Sequence, residues 1–168
     1  MNSQTVIKLI VTFFIYLILQ IVVLRNFVFF DVAFCFVYVA CILLLPYEIP
    51  TLWVILISFL TGLLVDIFYN TAGVHAAASV LVGYSRGSIV KFLLPTKGID
   101  NEIVISLKDM GAERFVRYIF ILTLIHHTAL FFIEAGGFTF FLITILKVIS
   151  SVVFTSFMII ILQYVRGN

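Results

Sequence analysis

A single-domain bundle of six membrane-crossing α-helices is the architecture this chain predicts, on three observations. Of its 168 residues, 64% are hydrophobic and only 11% are charged. The mean hydropathy, +1.28, lies far above the range of soluble globular domains. Apolar runs close to the roughly 20 residues that cross the hydrocarbon recur between short polar breaks, and they leave almost nothing for a soluble domain. The net charge of +2 says little about partners, because the placement of charge in the loops matters more than its sum.

Span one is expected over 6–24. Its run VIKLIVTFFIYLILQIVVL is long enough to cross and ends at Arg25-Asn26 without a small-x-small cleavage pattern, so it reads as a retained span and not as a signal peptide. After Arg25, Asn26 and Asp31 comes span two, 32–46. Pro46 and Pro50 bracket the turn PYEIP, because proline does not continue a helix entered mid-turn. Span three follows over 51–68. The short break YNTAG makes it an antiparallel hairpin with span four, 73–94. Residues 95–113 are the one long polar connection. Span five covers 114–134, and AGG turns the chain into span six, 138–165. The orientation follows from the basic residues. Lys8, Lys97, Lys108, Arg114 and Arg166 fall on the side of the N-terminus, with Lys91 and Arg117 close by, whereas only Arg25 falls on the other. The positive-inside rule therefore predicts both termini in the cytoplasm, and Tyr47, Trp53 and Tyr164 fall near that boundary.

The polar residues inside the spans are the candidate site. In span three Ser58, Gly62 and Asp66 recur at i+4 and share a stripe. In span four Ala76, Ser79, Gly83, Arg86 and Gly87 fall within roughly 100° of arc. Small residues at such spacing let backbones approach closely, so spans three and four read as a packed interior pair. Depth argues against an Asp66–Arg86 ion pair, since at about 1.5 Å per residue the two differ in height by roughly 12 Å. Arg86 is expected to snorkel or to bond helix carbonyls, with Asp66 in the outer half near His75. Thr123, His127 and Glu134 share one side of span five, beside His126. Span six carries the stripe Thr144, Lys147, Ser151 and Thr155. A charge in mid-helix costs about 2.5–3.5 kcal/mol, so these groups are expected to face inward and partner one another. They would act either as a network that fixes helix register or as a proton relay or ligand pocket.

Other chemistry is not indicated. Cys35 and Cys41 lack ligand-spaced neighbours and read as packing thiols. Adjacent His126 and His127 point about 100° apart on a helix, and no H-E-x-x-H run is present. No G-x-S-x-G elbow, phosphate loop or basic nucleic-acid face is present either. Neither a catalytic residue nor a cofactor or metal is expected.

The run SFLTGLLVDIFYNTAGVHAAASVLVGY, with its Gly62-x-x-x-Asp66, Gly73 and small-residue fourth span ending near Tyr84, and the LLP that ends span two, resembles the bacterial rod-shape-determining MreD family. The resemblance is most specific over 59–84 and departs from many relatives at Asp31-Val32 and at His126-His127. It implies a noncatalytic component of the cell-wall elongation machinery in the inner membrane, associated with MreC and with the peptidoglycan glycosyltransferase and transpeptidase. It also implies a fold like the six-helix substrate-binding subunits of energy-coupling vitamin transporters. Two functions follow: a membrane scaffold that packs against a partner's transmembrane segment, or a small-molecule-binding transporter subunit with a central pocket. For the scaffold, the faces near Gly62, Gly83 and Gly87 offer surfaces for close helix contact.

Overall fold

The computed structural model describes residues 3–94 and 105–165; Lys97, Arg166 and residues 95–104 of the long polar connection lie outside them. The chain is mostly helical. Helix α1, Ser3–Ile18, continues through a π-helical turn, Leu19–Val23, and a 3₁₀ turn, Leu24–Asn26. Helices α3 (Thr51–Tyr69), α4 (Val74–Leu93), α6 (Ala112–Glu134) and α7 (Phe141–Val165) are the long elements, with short α2 (Ala40–Leu43) and α5 (Leu107–Met110) between them. Among the described residues four stretches are long and apolar enough to cross a membrane: Ile7–Asn26, Thr51–Tyr69, Ala112–Glu134 and Phe141–Val165. Large apolar side chains such as Val22, Leu52, Phe120, Leu142 and Phe157 stand exposed along them. This is the surface of a protein whose solvent is lipid.

The second expected span, 32–46, is not a continuous helix. Strands β1 (Val28–Phe29) and β2 (Ala33–Phe34) form a small hairpin. Its tip places Phe30 and Asp31 at φ 52° and 58°, the left-handed pair of a tight primed turn. Beyond it the chain runs extended, makes a 3₁₀ turn at Val37–Val39, and becomes helical only at α2. Two physical reasons favour this path. A helix of 15 residues reaches only about 22 Å of a core roughly 30 Å thick, and extension makes up the length. The residues also alternate, with Phe34, Phe36 and Tyr38 two apart among Val32, Val37 and Val39, the aromatic and β-branched types that suit an extended backbone. Residues 35–43 are buried without interruption, so this segment forms the centre of the molecule and the helices wrap it.

The hairpin expected from YNTAG is present. Asn70 closes α3 in the left-handed conformation (φ 56°), and Gly73 opens α4 at φ 83°, a geometry that disfavours a side chain. Helix α4 then packs on α3 and α6, and α6 packs on α7.

Candidate functional site

The Gly62-x-x-x-Asp66 stripe joins the two hairpin helices. A Cβ on Gly62 would lie 2.5 Å from the Ala76 Cα and from the His75 carbonyl oxygen, so only glycine admits α4 at this distance. One turn later the Asp66 carboxylate caps α4. Its Oδ1 accepts the amide of His75 at 3.0 Å and the Thr71 hydroxyl, and its Oδ2 accepts the amide of Ala76 at 2.9 Å. A carboxylate meeting the free amides and the positive end of a helix is stabilised by both. Further along, Gly83 faces Ser58, whose hydroxyl bonds back to the Val54 carbonyl at 2.7 Å. Ser58, Gly62, Asp66 and Gly83 thus form one continuous seam, and Gly73 sets the turn that starts it.

Arg86 lies at the other end of α4, 2% exposed. Its Nη2 donates to the Leu45 carbonyl and its Nε to the Tyr118 hydroxyl at 3.2 Å, while Tyr118 donates to the Leu43 carbonyl at 2.8 Å. A cation and a phenol therefore close the carboxyl end of α2, as expected from the depth argument. Of the inward polar groups expected to partner one another, His127 and Thr155 do so at 3.0 Å, and Asp66 and Arg86 form no ion pair, as their depths imply. Among the described residues the one ion pair is the exposed Arg117–Glu113 contact, and Asp66 and Arg86 are neutralised by backbone dipoles instead. Glu134 is exposed. Lys147 is half-buried with its Nζ over the Phe34 and Phe131 rings, 5.5 and 5.9 Å from their centroids.

Between these ends lies a connected polar chain. The His127 Nδ1 is 2.8 Å from the Thr123 carbonyl, which can only accept, so the hydrogen is assigned to Nδ1. Its Nε2 then accepts the Thr155 hydroxyl at 3.0 Å. The His126 Nδ1 faces the same donor at 3.4 Å, so its own hydrogen sits on Nε2, 2.7 Å from the Tyr38 oxygen. Tyr38 donates to the His75 Nδ1 at 3.1 Å and also receives the Ser79 hydroxyl at 3.5 Å. The sequence thus runs in one direction, with His75 Nε2–H as its terminal donor. His75 lines a cavity of about 190 Å³ with Arg25, Tyr69, Phe131 and Glu134. The cavity combines aromatic walls with groups of both charges at its rim, a fit for a small polar molecule. No group of three or more His, Cys, Asp or Glu side chains among the described residues is placed to hold a metal ion. Cys35 and Cys41 are buried free thiols.

Three residues that sequence reasoning did not single out complete the site. Tyr38 is its hub and was hidden in a run read as a helix. Gln20, wholly buried in the π turn, donates to the Cys35 carbonyl at 3.0 Å and to the Tyr69 oxygen at 2.7 Å, and accepts the Tyr38 amide at 3.3 Å. A lone amide inside a hydrocarbon-length run was its available signal. Tyr118 carried none beyond its polarity. Comparison of the chain with protein-family models, with curated proteins and with solved structures finds no match.

Proposed function

We propose that this chain is a noncatalytic scaffold of the bacterial cell-wall elongation machinery, set in the inner membrane with both termini cytoplasmic. In this reading it makes six passes, the second through the 27–46 segment, and binds MreC together with a peptidoglycan glycosyltransferase and transpeptidase. The resemblance over 59–84 supplies the partners. One observation supports a role in binding: among the described residues no buried side-chain nitrogen or oxygen lacks a hydrogen-bond partner. The polar groups are consumed in holding a shape, and a fixed shape is what a packing partner reads in lipid. Affinity purification of the full chain in mild detergent, with identification of what accompanies it, tests this. Recovery of MreC and a wall synthase is the expected result.

A second reading, a small-molecule-binding subunit of a transporter, is favoured by the cavity in which His75 ends the polar chain. Co-purification of a transporter ATPase, or a small molecule retained through purification without MreC, would replace the scaffold by this reading.

A further inference from the structure

At the opposite end of the bundle from His75, a second cavity of about 330 Å³ opens between the PYEIP turn, the first turn of α3 and the last turns of α4. Its walls carry three kinds of positive group. Arg86 is buried there, with Nε and Nη2 engaged and Nη1 outside those bonds. Lys91, exposed, stands one turn beyond Gly87 on the same face. The third is the start of α3. Pro50 caps it without a side-chain bond, and the amides of Thr51 and Leu52 have no acceptor among the described residues. Such amides and the helix dipole attract anions. Among the described residues that line it, Glu48 is the one opposing charge, exposed and without an ion pair. Gly87 keeps the space open, since a Cβ there would meet nothing within 4 Å.

We propose that this cavity binds the phosphate of an anionic headgroup at the membrane boundary, held by Arg86, Lys91 and the first-turn amides of α3. Its position favours a lipid over a free ion. The cavity sits where the span Thr51–Tyr69 begins, the depth at which lipid phosphates lie. Exposed Leu52, Trp53 and Tyr84 lie beside it, an apolar flank for acyl chains. A small soluble phosphate shares the headgroup chemistry, so the test separates the two.

Trp53 is the one tryptophan of the chain and stands in the α3 first turn, where brominated acyl chains quench it on contact. The full chain is reconstituted in phosphatidylcholine vesicles, with brominated phosphatidylglycerol or brominated phosphatidylcholine added at matched fractions. The expected result is a preference for phosphatidylglycerol of roughly fivefold. Gly87→Leu, which fills the cavity, and Lys91→Gln, an exposed change, should each bring that preference toward one, with monodispersity in detergent confirming that both variants fold. In a second arm, inorganic phosphate is titrated in detergent. A rise in Tm that Gly87→Leu removes, without any lipid preference, would assign the cavity to a soluble phosphate and overturn the lipid source. A preference equal in wild type and both variants would mark general surface charge and overturn the site, as would no response to either probe.

Discussion

The α3–α4 hairpin and the 27–46 segment lie side by side in the same bundle and solve the problem of backbone polarity in opposite ways. In the hairpin each helix satisfies its own peptide groups, and the two join through absent side chains: Gly62 against the backbone of Ala76, and Gly83 against Ser58. One carboxylate, Asp66, closes the seam. The 27–46 segment has no complete ladder and takes its partners from four other elements. Ser151 receives the Phe34 amide at 2.9 Å, Thr155 receives the Phe36 amide at 3.0 Å, Ser150 donates to the Val32 carbonyl at 2.9 Å, and Gln20, Arg86 and Tyr118 engage peptide groups of Cys35, Tyr38, Leu43 and Leu45. In hydrocarbon an unpaired peptide group costs several kcal/mol, so irregular backbone survives only where protein surrounds it. Of the polar residues of span six, Thr155 joins the side-chain network through His127, and Ser150, Ser151 and Thr155 also serve peptide groups of the segment. They form the hydrogen-bonding edge of an extended strand. The geometry explains why a helix can supply that edge. Two residues of strand advance about 6.6 Å, and four residues of helix about 6 Å, so Ser151 and Thr155 at i,i+4 match Phe34 and Phe36 at i,i+2.

The contrast makes substitutions in the hairpin steric and substitutions around the segment matters of desolvation. The largest effect is expected for Gly62→Leu. Backbone on α4 cannot yield as a flexible side chain does, and the cost should reach ~3 kcal/mol or more, read as loss of monodisperse protein on size exclusion. Retention of wild-type yield would show that the seam is not close-packed. Asp66→Leu strands two helix amides and a hydroxyl and should cost about 2–4 kcal/mol. Asp66→Asn keeps one carbonyl acceptor and should lose about half of that, so thermal unfolding in detergent should rank wild type, Asn and Leu in that order. Thr155→Val removes the acceptor of the Phe36 amide and the donor to His127 at nearly constant volume, with an expected loss of about 1–2 kcal/mol. Faster hydrogen exchange at Phe36 than at α3 amides would locate the loss in the segment. The smallest change is expected at Lys147→Met, where a contact with two rings worth ~1 kcal/mol is exchanged for an apolar chain in a half-buried site. A large destabilisation there would show a partner for Lys147 beyond Phe34 and Phe131.

The same contrast decides what could be read in the sequence. The hairpin was legible because its devices are local: small residues at i+4, a turn of Asn and Gly, and a carboxylate one turn from the glycine. Expected and observed bounds of the three remaining long helical elements, α1, α6 and α7, also agree closely, since hydrophobic length is a strong signal in lipid. The path of 32–46 was not legible. An apolar run reads as a helix until its partners are known, and those partners are hydroxyls on α7 more than 100 residues away in sequence. The inward stripe Thr144, Lys147, Ser151 and Thr155 was visible, but its purpose was not. A buried hydroxyl looks the same whether it awaits another side chain or a peptide group. Tyr38 and Gln20 were missed for the same reason. Arg86 was placed correctly because depth alone excludes Asp66 as its partner.

Synthesis of the chain follows a clock that this architecture must respect. Ser151 emerges 117 residues after Phe34, a delay of roughly 6–23 s at 5–20 residues per second. Throughout that interval the amides of Phe34 and Phe36 lack the hydroxyls that will receive them. Helix α7 is thus a tool of assembly for a segment made long before it: until α7 arrives, the stretch from Val32 to Phe36 has no settled address in the bilayer.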